Sequence, residues 1–186
     1  MKKTLSAIAL AMASLGAHAI EYKSIVTAQS EIGFAYKQMG VAMDGRFKSL
    51  GGSIQLDPAK LAQAKVSIDV ALASFDTGTE ADQEVGGKSW FNTQAFPKAT
   101  FKSTRVVFEG DKPKAIEGQL TIKGVTKPVT LTVTSFQAMP HPMLKKPAIG
   151  ANAFTVIKRS EFNAGKYAPY VGDDVRIDIA IEAIAP

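Results

Sequence analysis

Apolar and polar residues alternate along most of this chain with the two-residue period of a half-buried strand. Ile32, Phe34 and Tyr36 alternate with Gly33 and Ala35. Ile54 and Leu56 alternate with Ser53 and Gln55, and Val66, Ile68, Val70 and Leu72 with Ser67, Asp69 and Ala71. Residues 99–108, 116–123, 129–136, 149–158 and 175–183 continue the series. In the last, Val175, Ile177, Ile179 and Ile181 face one way and Arg176, Asp178 and Glu182 the other. The clearest local signal lies in residues 119–133, where two alternating runs flank a short turn containing Gly124, with Pro128 at the second strand's first residue. That is a β-hairpin. Leu120 and Ile122 share one face of its first strand, Leu131 and Val133 one face of its second, and Thr and Lys occupy the other side.

About eight antiparallel strands with a single dry face must stack as a sandwich or close into a barrel. Helix is expected only in the interruptions. Asp57-Pro58 followed by Ala59 to Ala64 has a cap, a first-position proline and good helix formers, enough for about two turns. Thr77-Gly78-Thr79-Glu80 reads as a capping box opening a second short helix, which Gly86-Gly87 ends or bends. Pro140, Pro142 and Pro147 predict an irregular loop over residues 138–147.

The first nineteen residues read as a signal peptide. Lys2 and Lys3 precede an uncharged run from Leu5 to Leu15, and Ala17-His18-Ala19 supplies a small-x-small cleavage pattern. The mature domain is then residues 20–186, free in the periplasm, since the apolar run is shorter than the about 20 residues a membrane span needs. A lipid anchor would need a cysteine at the cut, and the chain has none. Cleavage removes two of the 22 basic residues and none of the 17 acidic ones, leaving a net charge of +3. So small a charge, without a basic block, gives no support to nucleic-acid binding.

The residues needed for catalysis are scarce. With His18 removed, His141 is the one histidine left, on a loop between two prolines, and there is no cysteine. A cysteine or multi-histidine zinc site is excluded. A serine triad would have to use His141 as its base, yet Gly51-Gly52-Ser53-Ile54-Gln55 fails the nucleophile-elbow pattern at its last position. Gly87-Lys88-Ser89 resembles the end of a phosphate loop but lacks the glycine five residues earlier, where Asp82 stands. Asp173-Asp174 is read as a turn before the last strand in preference to a cation site. Glu80, Asp82 and Glu84 read as a solvated face, and His141 as a solvated loop side chain. No catalytic residue, metal ligand or cofactor site is assigned.

A bland fold leaves a surplus of bulky apolar groups: Phe34, Tyr36, Phe47, Phe75, Trp90, Phe91, Phe96, Phe101 and Phe154, with Met39 and Met43. They either fill the barrel or surround a ligand. An eight-stranded barrel allows both, and periodicity does not separate them.

The hairpin Leu120-Thr-Ile-Lys-Gly-Val-Thr-Lys-Pro-Val-Thr-Leu131 closely resembles the signature of the YceI-like family of lipocalin-like lipid-binding proteins. Gly45-Arg-Phe47 followed by Gly52-Ser-Ile54, then Phe96-Pro97-x-Ala99-Thr-Phe101-x-Ser103, and Ile157-x-Arg159-Ser-x-Phe162 resemble further landmarks of that family, in its order and spacing. Together they span essentially all of the mature chain. The resemblance implies an all-β fold: an extended antiparallel eight-stranded lipocalin-like barrel with one or two short helices. It also implies a non-enzymatic periplasmic carrier, with an apolar tunnel for a long-chain isoprenoid lipid of the ubiquinone or polyprenyl type or another long-chain amphiphile. On this reading Ile54, Leu56, Ile68, Val70, Leu120, Ile122, Leu131, Val133, Ile179 and Ile181 line the tunnel. Phe34, Phe75, Trp90 and Phe91 meet the ligand near the entrance.

One departure limits the carry-over. Many members have Arg-Asp-x-His-Leu before Asp-Phe-Phe, where this chain has Glu84-Val-Gly-Gly-Lys-Ser-Trp-Phe91. Head-group contacts through those charged and histidine positions do not transfer, and the Trp-Phe version implies a helix that closes the mouth with aromatics. Two other readings stand beside the carrier: a stress-response or structural partner of a membrane quinone-using cytochrome, and a lipid-modifying enzyme. A second copy of the chain is a further partner to consider.

Overall fold

The computed structural model describes residues 20–22, 24–26, 28–57, 59–78 and 82–186. The signal-peptide reading of residues 1–19, and Pro58, Thr79 and Glu80 of the two helix signals, lie outside the described residues. The alternating segments form strands β1 (Ile20–Tyr22), β2 (Ser24–Ile25), β3 (Glu31–Gln38), β4 (Val41–Phe47), β5 (Leu50–Leu56) and β6 (Lys65–Ala71). They continue as β7 (Phe75–Asp76), β8 (Lys98–Glu109), β9 (Lys112–Ile122), β10 (Val125–Pro140), β11 (Pro147–Lys158) and β12 (Asp174–Ile184).

All pairings are antiparallel, and the order β5-β6-β8-β9-β10-β11-β12-β3-β4 explains how the sheet closes. Its two ends, β4 and β5, are consecutive in the chain and separated by Lys48 and Ser49 alone. They behave as one bent strand that pairs with β3 above the bend and with β6 below it. The 3₁₀ turn Leu72–Ser74 bends the neighbouring strand in the same place, so that β6 pairs with β5 while β7 pairs with β4. Counting β4/β5 and β6/β7 as one bent strand each, the wall has the eight strands the pattern predicts. The two additions are β1 and β2, which bridge β5 to β12 at the lower end through Tyr22↔Ile54 and Ile25↔Ala183.

The β9–β10 hairpin turns on Lys123 and Gly124, both at positive φ (50° and 75°), between the paired Ile122 and Val125. Two successive left-handed residues match the twist of the flanking strands, which is why Gly is needed at the second. The lower end of the barrel is closely packed, and Tyr22, Ile149 and Ala183 are almost fully buried there.

Three expectations are corrected. Residues 59–64 form a 3₁₀ turn at Leu61–Gln63 in place of a two-turn helix: Asp57 accepts from the Ala59 N–H at 2.9 Å, but β6 begins at Lys65, too soon for helix propagation. The second helix, α1 (Asp82–Val85), has a single turn, and Asp82 itself accepts the Thr77 N–H and hydroxyl at 2.9 and 2.6 Å. The loop over residues 138–147 shrinks to a tight connection, because β10 and β11 stay paired out to Pro140↔Pro147. His141 is therefore buried: its Nδ1 accepts from the N–H groups of Met143 and Leu144, and its Nε2 lies 3.4 Å from Glu182.

Candidate binding cavity

Above this lower core the barrel encloses a cavity of about 460 Å³. Strand parity supplies its wall, since inward positions on β3, β6, β9, β10 and β12 are chiefly Ile, Val, Leu or aromatic. One side is aromatic. Phe34 stacks on Phe75 with ring centroids 4.8 Å apart, Phe47 meets Phe34 at 5.5 Å and Phe75 at 5.7 Å, and Phe91 closes the group at 5.9 Å from Phe47 and 5.8 Å from Phe75. Such offset and edge contacts add about 0.5–1.5 kcal/mol each to area burial and hold the rings as a rigid surface.

Two glycines make room for these rings. Gly45, opposite Phe34 across β3 and β4, has the Phe34 ring where a Cβ would stand; Gly118 on β9 has the Phe101 ring there. Both glycines belong to the barrel wall, and each lets an aromatic lie flat across the neighbouring strand without crossing the cavity.

The mouth is built by α1, the β3–β4 turn and the loop of residues 164–172. Arg159, on the 3₁₀ turn that ends β11, is only 7% exposed and ties this loop down. Its Nε donates to the Gly172 carbonyl at 2.8 Å, Nη1 to those of Ala164 and Lys166, and Nη2 to that of Val171 at 2.6 Å. The guanidinium also sits 5.5 Å from the centre of the Trp90 ring. Burial lowers its pKa, opposed by nearby Asp173, whose carboxylate accepts from the Ser160 N–H and hydroxyl. Asp173 thus braces the 3₁₀ turn at Arg159–Phe162, 13 residues from Ser160, and its role is not the turn before β12 that the sequence suggested.

A second tie joins the loop to α1. Glu84 Oε1 accepts from the Tyr167 hydroxyl at 2.8 Å and from Lys166 Nζ at 3.3 Å. These hydrogen bonds, Tyr167 first, hold the Glu84 carboxyl below the ordinary carboxylate range. Asp82 and Glu84 are thus engaged by partners, while Glu84 stays exposed as the solvated-face reading has it. Tyr170 and Met39, joined by a 2.7 Å backbone hydrogen bond, flank the opening and leave large apolar surfaces in water.

Comparison with known proteins matches residues 24–183 to the family described as the YceI-like domain. The chain belongs to the YceI-like family. A UPF0312 protein of Photorhabdus laumondii is 39% identical over 169 residues, 88% of this chain and 87% of that protein. The crystal structure of Burkholderia cenocepacia BcnA is similar in fold, with a TM-score of 0.72 and 32% identity over 86% of this chain and 99% of that one. A polyisoprenoid binding domain from Saccharophagus degradans shares the fold at a TM-score of 0.66 and 16% identity, covering 91% of this chain and all of that one.

In this YceI-like barrel the residues singled out from sequence separate by depth. Phe34, Ile68, Val70, Phe75, Trp90, Phe91, Leu120, Ile122, Leu131 and Ile179 line the 460 Å³ cavity. Ile54, Leu56, Val133 and Ile181 have the right parity but lie further down, around a separate void of about 70 Å³. The pattern gives the face and not the depth. Trp90 and Phe91 do reach the mouth, from turns after α1 and not from a helix. Phe154, counted with the surplus aromatics, faces outward under the Arg176 guanidinium at 4.1 Å.

Some lining residues of the YceI-like cavity were missed. Ile32, Val175 and Ile177 share parity with Phe34 and Ile179 and were legible on that ground. Arg159, Tyr167 and Val171 were not, because a loop that folds back over a barrel mouth has no period to read.

Proposed function

We propose that this protein is exported to the periplasm and holds a long-chain isoprenoid lipid, of the ubiquinone or polyprenyl type, in the barrel cavity. The observation that carries the reading is the cavity itself: about 460 Å³ walled mostly by aliphatic and aromatic side chains, with its charged groups, Glu84 and Arg159, at the mouth. An apolar tail inside leaves water, and burying one five-carbon isoprene unit contributes at most about 3–4 kcal/mol at roughly 0.8 kcal/mol per carbon before ordering costs. Three or four buried units support micromolar binding or better. No bond need be made or broken for a carrier to work: the wall shields the tail while the lipid crosses an aqueous space.

The mouth favours binding over chemistry. Arg159 directs four donors at backbone carbonyls, and Glu84, Lys166 and Tyr167 satisfy one another, so these groups are committed to holding the mouth. The signal-peptide pattern of residues 1–19 supports export. The fold shared with a protein described as a polyisoprenoid binding domain agrees with the reading, although 16% identity speaks to the fold alone.

Organic extraction of the purified, exported protein followed by mass spectrometry tests the proposal. A stoichiometric isoprenoid lipid is the expected result. A protein that emerges empty and takes up no prenylated quinone or polyprenol from solution overturns it.

A further inference from the structure

The main cavity does not run the length of the barrel. Ile68 on β6, Leu131 on β10 and Ile179 on β12 line both the 460 Å³ cavity and the 70 Å³ void below it. Contributed by separate parts of the wall, they stand between the two spaces as a partition. Ile68 and Leu131 are only 5% and 4% exposed, and Ile179 is fixed by its register with Ile32 on one side and Ala153 on the other. The void below is bounded by Ile54, Val133 and Ile181 among others and presents no polar surface. The charged groups of the main cavity, Glu84 and Arg159, stand at the opposite, open end, so a lipid enters tail first and its tip is stopped at the partition.

We infer that Ile68, Leu131 and Ile179 form a stop that sets the length of isoprenoid tail this barrel accommodates. The inference rests on the lipid-binding reading above and gives it a ligand class. An engineered apolar cavity of about 150 Å³ holds one benzene, roughly 25 Å³ per carbon, so 460 Å³ holds roughly eighteen carbons, or three to four isoprene units. The favoured tail is therefore a C15 to C20 prenyl chain. A longer tail leaves its extra units beyond the mouth, in water, where they contribute nothing. The 70 Å³ void takes roughly three carbons on the same scale, less than one unit. Truncating Ile179 to alanine removes three more carbons of wall and joins the two spaces, which lengthens the measured tail by about one unit.

The test is a length series of prenyl alcohols, C10, C15, C20, C25 and C45, titrated into the delipidated mature protein. Trp90 is the one tryptophan of the chain and lines the cavity, so its fluorescence reports binding. The parent is expected to tighten at least ten-fold for each unit up to C15 or C20 and to change less than about three-fold from C20 to C45. Ile179→Ala is expected to move the plateau, binding C25 at least ten-fold tighter than C20. Leu131→Ala, on another strand, provides an independent opening of the same partition should the first variant fold poorly. Ile181→Phe combined with Ile179→Ala fills the lower void and is expected to restore the parent's plateau. Affinity that keeps rising to C45 in the parent, or a plateau that stays at the same length in both openings, overturns the stop while leaving lipid binding intact. If no alcohol of any length binds, the stop and the lipid reading fall together.

Discussion

The ring of Phe34 lies against the Cα of Gly45, its partner across β3 and β4, in the space a Cβ would occupy. That ring also stacks on Phe75 at 4.8 Å and forms part of the cavity wall, so a backbone detail on one strand fixes the shape of the binding surface. Gly45→Ala must push the ring off its seat. The expected loss is about 1–3 kcal/mol, the range for overpacking. Gly51→Ala on β5, where an added Cβ meets no atom within 4 Å, should leave the melting temperature within about two degrees of the parent. Thermal melts of the two variants check the contrast.

The β9–β10 turn makes a second prediction. Gly124 has φ of 75°, and a Cβ there would come within 2.7 Å of Phe96 Cε1. Gly124→Val therefore suffers backbone strain and a clash, whereas Thr132→Val changes an exposed position on the strand that follows the turn. The first should melt several degrees below the second; equal melting temperatures would show an unconstrained turn.

Arg159 supports the mouth through its fork of donors, and lysine cannot reproduce that fork. Arg159→Lys and Arg159→Met should each cost about 2 kcal/mol or more, since several buried carbonyls lose their partners. Hydrogen exchange should localise the loss to residues 164–172. Uniform loss across the barrel would count against a local role.

The Glu84 tie depends on pH, with a definite sign. Its carboxyl titrates below the ordinary value near 4.5 because Tyr167 and Lys166 favour the charged form. A depressed carboxyl contributes stability that is fully present above the unfolded-state pKa and is lost as pH falls through the folded one. Asp76, held down first by Lys48, and Asp173, held down first by Ser160, act in the same direction in the upper barrel. Exchange protection of residues 164–172 should hold from pH 7 to about pH 5 and fall below 4.5. In Glu84→Gln protection should be lower at pH 7 and its acid-induced loss smaller, Asp76 and Asp173 still contributing.

Much of this was legible because strands announce their inward face. The two-residue period separated Val70 and Ile179 from their polar neighbours, and the Gly124 turn fixed the register of β9 against β10. What the period cannot carry is position along the barrel axis: Ile54 and Val70 look alike in sequence, yet one borders the lower void and the other the main cavity. The strand β4 was hidden by Gly45 and Asp44, which break the alternation of a strand whose partners are the ring of Phe34 and the backbone of β7. The mouth was hidden more deeply. Arg159 stands in the sequence only as part of the Ile157-x-Arg159-Ser-x-Phe162 landmark until the loop it holds is folded over it, and His141 reads as solvated until the strands on either side are seen to pair to their ends.

The central claim is that the barrel is hollow because a lipid occupies it, and Val70→Phe tests it most directly. Val70 lines the cavity on β6, so phenylalanine there projects into the space a tail would fill. Lipid binding and stability must be measured on delipidated protein, where bound ligand adds nothing to the melt. The expected result is a prenylated quinone that binds the parent one to one and the variant at least ten-fold more weakly, with melting temperatures within about two degrees. A parent that binds no such lipid, together with a variant that melts many degrees lower, would mean that the interior is closed core and that the protein does not carry lipid.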